Sequence, residues 1–254
     1  MKKTLLLACT VLAAYTMKAG DLNTTRGGGS DDKKIVIGIS VGAGIPMGAY
    51  GNKSTDTTDS PSDSTHVLHG YASTGFHFDV NFGYKFNSMV GAMIYIGGNM
   101  NSFDVSTYES VNNRHPASGE TFSVSSYYAG QYLVGPFLSL GSSDKLKINL
   151  RLLLGLVTVN RPTETDNFTG GSFESKGNGG SGFGYQFGAG VQYNMNDALG
   201  LTFNLAYTGS SIGYTGYTQT STFGSTTNTY TNTTLKQTMS FGMLNATVGV
   251  AINL

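Results

Sequence analysis

Between residues 76 and 86 the chain reads FHFDVNFGYKF, with Phe76, Phe78, Val80, Phe82, Tyr84 and Phe86 at every second position. His77, Asp79, Asn81, Gly83 and Lys85 fall between them. Alternation sustained over that length is the mark of a β-strand with one apolar and one polar face. The same period recurs along the chain. It predicts strands over 35–47 (IVIGISVGAGIPM), 76–86, 90–100, 122–140, 146–159, 183–195, 199–207 and 244–254. The last of these alternates through Leu244, Ala246, Val248, Val250, Ile252 and Leu254. The segments between strands alternate long, short, long, short, long, short, long. The short ones hold Asn87-Ser88, GSSDK (141–145) and NDA (196–198), and the longest, 208–235, is nearly all Thr, Ser, Tyr, Gly and Asn. Eight strands joined by short turns at one end and long loops at the other describe an eight-stranded antiparallel up-and-down barrel.

Which face looks outward decides what the barrel is. An eight-stranded barrel encloses barely enough room for its own side chains. Phe76, Phe78, Phe82, Phe86, Phe183, Tyr185 and Phe187, with the Leu and Ile residues of 146–156, would overfill it. The other face carries Gly38, Gly42, Gly44, Gly83, Gly184, Gly188 and Gly190, which suit a narrow lumen. Charge points the same way. Only 12% of the residues are charged, against about 25% in soluble domains, too few to dress a wet exterior. The apolar face is therefore predicted to meet lipid, making this a transmembrane barrel, and no segment after the N-terminus has the roughly 20 apolar residues of a membrane helix.

The N-terminus adds a compartment. Residues 1–20 have a basic start (Lys2, Lys3), an apolar run from Leu5 to Tyr15 and small residues at Ala19 and Gly20, the pattern of a secretory signal peptide. Its loss would remove Lys2, Lys3 and Lys18, three of the 15 basic residues, leaving 12 against 15 acidic ones. The single cysteine, Cys9, would leave with it, so the mature chain is expected to have no thiol or disulfide chemistry. Residues 21–34 read as a flexible polar tether and 35–254 as the barrel domain. With no basic excess there is no nucleic-acid partner to expect.

The units HFDVNFGYKFNSMVGAMIYIGG (77–98) and GYQFGAGVQYNMNDALGLTFNLAY (184–207) resemble the strand–turn–strand repeats of small bacterial outer-membrane β-barrels, the barrel domain of the outer-membrane protein A type and the opacity-type surface proteins. The resemblance implies a bacterial outer-membrane location, a lipid-embedded monomer and a lumen filled with charged and polar side chains. It also implies a structural or adhesin-like role exercised by four external loops. No peptidoglycan-binding domain is expected after the barrel, because the last predicted strand runs to the final residue. A narrow pore or carrier for ions or small solutes is the alternative, and an envelope enzyme with a rim histidine such as His69 or His115 ranks after it.

Candidate chemistry is sparse. His77, Asp79, Lys147 and Arg151 fall on the inner face, where an Asp79–Arg151 pair across the lumen would offset the cost of buried charge. Such a network reads first as packing and second as an ion path. His66, His69 and His115 lie in or beside external loops near Asp63, Glu109 and Glu120, but no spacing there fixes a nucleophile, base and orienter. His66 and His69 could share a metal only on a helix, and their surroundings are loop. GYQFGAG is not a nucleotide signature, since no helix follows it. No catalytic, metal or cofactor site is expected. The Tyr-interleaved loop 208–235 has the composition of an adaptable binding surface, or of a solvated tip.

Overall fold

The computed structural model describes residues 34–54, 69–113, 117–141 and 145–254. The predicted signal peptide, most of the tether, Cys9, His66 and His115 lie outside the described residues.

Eight strands close an antiparallel ring: β1 (Ile35–Met47), β2 (Gly75–Lys85), β3 (Val90–Asn101), β5 (Tyr127–Gly141), β6 (Leu146–Asn160), β9 (Gly180–Asn194), β10 (Leu199–Phe223) and β11 (Thr226–Asn253). The first and last strands seal it. Ile39 pairs with Val250 and Ala43 with Ala246, and Ile35 and Leu254 exchange backbone hydrogen bonds of 3.1 and 2.9 Å. A closed ring leaves no unpaired edge in lipid.

The outward face is the one the alternation predicts. Phe78 (50% exposed), Ile94 (55%), Val134 (56%), Phe203 (57%) and Val248 (58%) all stand on the exterior, whereas His77 (0%) and Asp79 (1%) point inward. Apolar surface on that scale is stable only against hydrocarbon. Among the described residues no helix is long and apolar enough to cross a membrane.

Two of the short turns share one chemistry. Asn87 Oδ1 accepts from the amides of Met89 (2.9 Å) and Val90 (2.8 Å), and Asn196 Oδ1 accepts from Ala198 (2.9 Å) and Leu199 (2.8 Å). An Asn side chain replacing a backbone acceptor in this way lets the chain reverse in a few residues.

The opposite end departs from the sequence reading. The predicted loop 208–235 is instead the continuation of β10 and β11, paired from Leu199↔Ile252 out to Phe223↔Thr226. The predicted loop 160–181 is largely a hairpin of β7 (Thr163–Phe168) and β8 (Gly171–Gly177). The predicted strand 122–140 divides into β4 (Thr121–Val124), which leaves the wall to pair with β7, and the barrel strand β5. Together the outer ends of β11 and β10 with β8, β7 and β4 extend the same sheet beyond the barrel wall. Alternation weakens there because both faces are wet, so the apolar period that marks a half-buried strand is missing. Thr, Tyr and Phe, which favour extended backbone, are the remaining signal.

Candidate functional site

The lumen is filled rather than open, and it is filled in layers. Nearest the short turns, a cavity of about 50 Å³ is bordered by Asn81, Lys85, Asn149, Arg151, Gln192 and Asn204. Above it, Tyr95 crosses the lumen, fully buried. Its hydroxyl lies 3.0 Å from His77 Nε2, and the Arg151 guanidinium carbon sits 4.9 Å from its ring centroid. Both side chains lie over glycines: a Cβ at Gly97 would meet the Tyr95 ring at 2.8 Å, and one at Gly188 would meet Arg151 Nε at 2.6 Å.

The four inner-face residues picked out by sequence therefore do not form one cluster. His77 Nε2 and Asp79 Oδ2 are 3.4 Å apart without hydrogen-bond geometry. The expected Asp79–Arg151 ion pair does not form among the described residues; Arg151 packs on Tyr95 instead. Lys147 lies four residues nearer the short turns, opposite Gln192. His77 Nδ1, Asp79 Oδ2 and Arg151 Nε are buried without a protein partner, each costing about 1–3 kcal/mol unless water reaches it.

The next layer is a neutral chain of hydrogen bonds spanning five strands. Asn99 Nδ2 donates to Asn245 (2.9 Å), Gln131 Nε2 to Asn99 (2.8 Å), Thr208 Oγ1 to Gln131 (2.9 Å) and Gln186 Nε2 to Thr208 (3.1 Å). Over it lies an apolar plug: Ile212, Met239, Phe241 and Met243 from β10 and β11, Val157 and Val159 from β6, and Tyr50. Tyr50 comes from the first external loop, within the single helical turn Gly48–Gly51. It packs edge-on against Tyr127 at 5.0 Å and against Phe241 at 4.9 Å, and donates to Asn101 Oδ1. The sequence pattern places Tyr50 in the connection between the strands predicted at 35–47 and 76–86, yet its ring turns inward and is fully buried.

On this floor stands a cavity of about 330 Å³, and all four long connections build it. The first supplies Ser54, His69 and Tyr71; the second Phe103, Tyr108, Asn112 and Tyr127; the third Arg161, Pro162 and Glu164; the β10–β11 hairpin Tyr214 and Met239. Its walls are fixed. Lys53 Nζ binds Asp104 Oδ2 at 2.7 Å, joining the first two loops. Asp104 also caps the helix Val105–Val111 by accepting from the Thr107 amide. The Lys53 ammonium, with that amide, holds the Asp104 carboxyl well below the usual carboxylate range. Phe103 packs on Tyr71, Tyr108 and Tyr127, so one aromatic run lines a whole side. Burial keeps the Tyr214 phenol protonated far above its ordinary range.

His69 is committed to the wall. Its Nδ1 lies 3.0 Å from the Ser54 carbonyl and its Nε2 3.2 Å from Asn52 Nδ2, so both edges of the ring are held by neighbouring loop groups. Among the described residues no three His, Cys, Asp or Glu side chains converge as metal ligands would. Sequence reasoning missed the cavity because its aromatics are scattered over three loops; the available signal was Tyr and Phe recurring in otherwise polar segments.

No protein-family model matches the chain, and no curated protein does. Solved structures do. The outer membrane protease OmpT from Escherichia coli superposes with a TM-score of 0.51 at 10% identity, over 91% of this chain and 99% of its own. A major outer membrane protein from Thermus thermophilus gives 0.48 at 11% (87% and 99%), and Neisserial surface protein A gives 0.44 at 12% (87% and 97%). The chain has the fold of the bacterial outer-membrane β-barrels. At such identities the likeness speaks to fold alone, so the role of this outer-membrane barrel must come from its own mouth and lumen.

Proposed function

We propose that the protein is a non-enzymatic surface-interaction protein of the outer membrane, a monomeric barrel that holds a rigid binding platform above the lipid. The observation that carries this reading is the contrast between its two halves. The lumen is closed by Tyr95, the Asn–Gln–Thr chain and the Tyr50 plug, while the external strands are paired into a sheet around a cavity of about 330 Å³. A barrel that moved solutes would need the reverse, an open lumen under disposable loops. His69 has both ring nitrogens engaged by the wall, and the Ser54 hydroxyl, 3.5 Å from its Nδ1, donates to Asn52 Oδ1 at 3.0 Å, which supports a non-catalytic mouth.

Planar-bilayer recording tests the reading. The purified barrel should give no discrete conductance steps; sustained steps from the unmodified protein would sink it. Buried His77, Asp79 and Arg151 favour a second reading, a gated ion path. On that reading Arg151→Ala opens conductance. On ours it stays silent, since the neutral chain and the plug remain above it.

A further inference from the structure

We propose that the mouth cavity is a binding site for a neutral saccharide. This deepens the surface-interaction reading and rests on it. The volume, about 330 Å³, falls at the lower end of the range for small-ligand sites, about 300–1,000 Å³. A sugar ring has an apolar C–H face and a rim of hydroxyls, and the cavity is divided in the same way. The aromatic run of Tyr71, Phe103, Tyr108 and Tyr127 gives it one side suited to a flat apolar face. Ser54, His69 and Asn112 supply hydrogen-bonding groups elsewhere on the lining.

Two observations select a neutral polyol over other small ligands. The charged groups of the lining, Arg161 and Glu164, are of opposite sign. Arg161 is also held in place, its Nη1 donating to Gln237 Oε1 at 2.7 Å and its guanidinium carbon 5.5 Å from the Tyr214 ring centroid. Its guanidinium is thus oriented by a neutral acceptor and a ring, with the Glu164 carboxylate on the same lining to offset its charge. An all-apolar solute, in turn, would leave the polar lining unanswered. The second observation is Tyr214 itself. Its ring lines the cavity, and its hydroxyl, closed off behind the lining, has no hydrogen-bond partner among the described residues. A small shift of the lining on binding lets that hydroxyl donate to a ligand, and a sugar hydroxyl both accepts and donates. Because the Tyr50 plug closes the floor, a ligand entering from outside is retained rather than passed through.

The test is a glycan array probed with the full-length barrel in detergent, followed by saturation-transfer NMR on the hits. Tyr214→Phe and Tyr108→Ala are compared with the parent, each checked for the heat-modifiable migration of a folded barrel. Binding to neutral glycans, with transfer strongest at ring C–H protons, is expected. Tyr214→Phe should weaken it about two- to tenfold, the worth of one hydrogen bond, and Tyr108→Ala should weaken it further. Binding only to sialylated or sulfated glycans, to small aromatics such as phenol but no glycan, or to nothing on the array overturns the proposal. So does neutral-glycan binding that both substitutions leave unchanged. A silent bilayer trace with no glycan binding removes the sugar but leaves the surface reading standing, whereas a conducting barrel removes both.

Discussion

Asp104 shows how one side chain sets the shape of the mouth. It caps a helix in the second loop and grips Lys53 of the first, so its ionisation holds two loops in register. Its pKa is depressed by Lys53, so the contribution is complete above the unfolded carboxylate value of about 3.9. It is lost as pH falls through the lower folded value. The Thr107 amide, which donates to Asp104, should therefore be protected from hydrogen exchange at pH 7 and lose protection only in strong acid. Lys53→Met should move that loss to higher pH; protection insensitive to the substitution would detach Lys53 from the mouth. Tyr50 does the same for the plug. Tyr50→Ala removes two aromatic contacts, each worth about 0.5–1.5 kcal/mol beyond area. The amides of Gly70 and Ala72, which pair with Ala49 and Tyr50, should exchange faster while amides of the barrel wall do not. Neither residue was legible as structural in the sequence. A capping Asp and a plugging Tyr look like any loop Asp and Tyr until chain segments some 50 residues apart are brought together.

At the level of elements, legibility followed burial. Every strand that separates lipid from lumen was readable, because two solvents impose a period of two on it. The outer sheet separates water from water and carries no such period. What marks the boundary on β10 is Gly216. Its φ of +73° lies in the left-handed region, the β10–β11 register shifts between Thr215 and Tyr217, and a Cβ there would run into the Asn232 carbonyl. Opposite, Asn232 Oδ1 accepts from the Thr234 and Leu235 amides at 2.9 Å, so the bulged strand is held by its own side chain. Left-handed backbone costs a β-branched residue about 1–3 kcal/mol. Gly216→Val should therefore unpair the hairpin beyond the bulge, seen as lost protection at Thr218–Thr222, without altering the heat-modifiable migration of the barrel. Retained protection would mean the platform does not depend on this kink.

Taken as a whole, the molecule has two unlike ends, a paired platform at one and tight turns at the other, and the surface reading puts the platform outside. Lysines report this without any need for the backbone to open. Lys176 on β8 and Lys236 on β11 are exposed in the outer sheet, and Lys145 is exposed beside a short turn at the other end. A membrane-impermeant amine reagent on intact cells should label Lys176 and Lys236 and leave Lys145 unmodified until lysis. Proteolysis would be a poorer reporter, because Lys176 and Lys236 lie in paired strands and Arg161 is followed by Pro162. The two ends are chemically unlike enough for the result to be decisive. The outer sheet carries the cavity whose lining all four connections share, whereas the Asn87 and Asn196 turns are too short to hold a ligand. Labelling of Lys145 with Lys176 spared would invert the barrel and move the cavity to the periplasm, where a surface role for it would no longer stand. Labelling in the expected sense puts the cavity of about 330 Å³ in contact with the medium, with a plugged lumen between it and the cell.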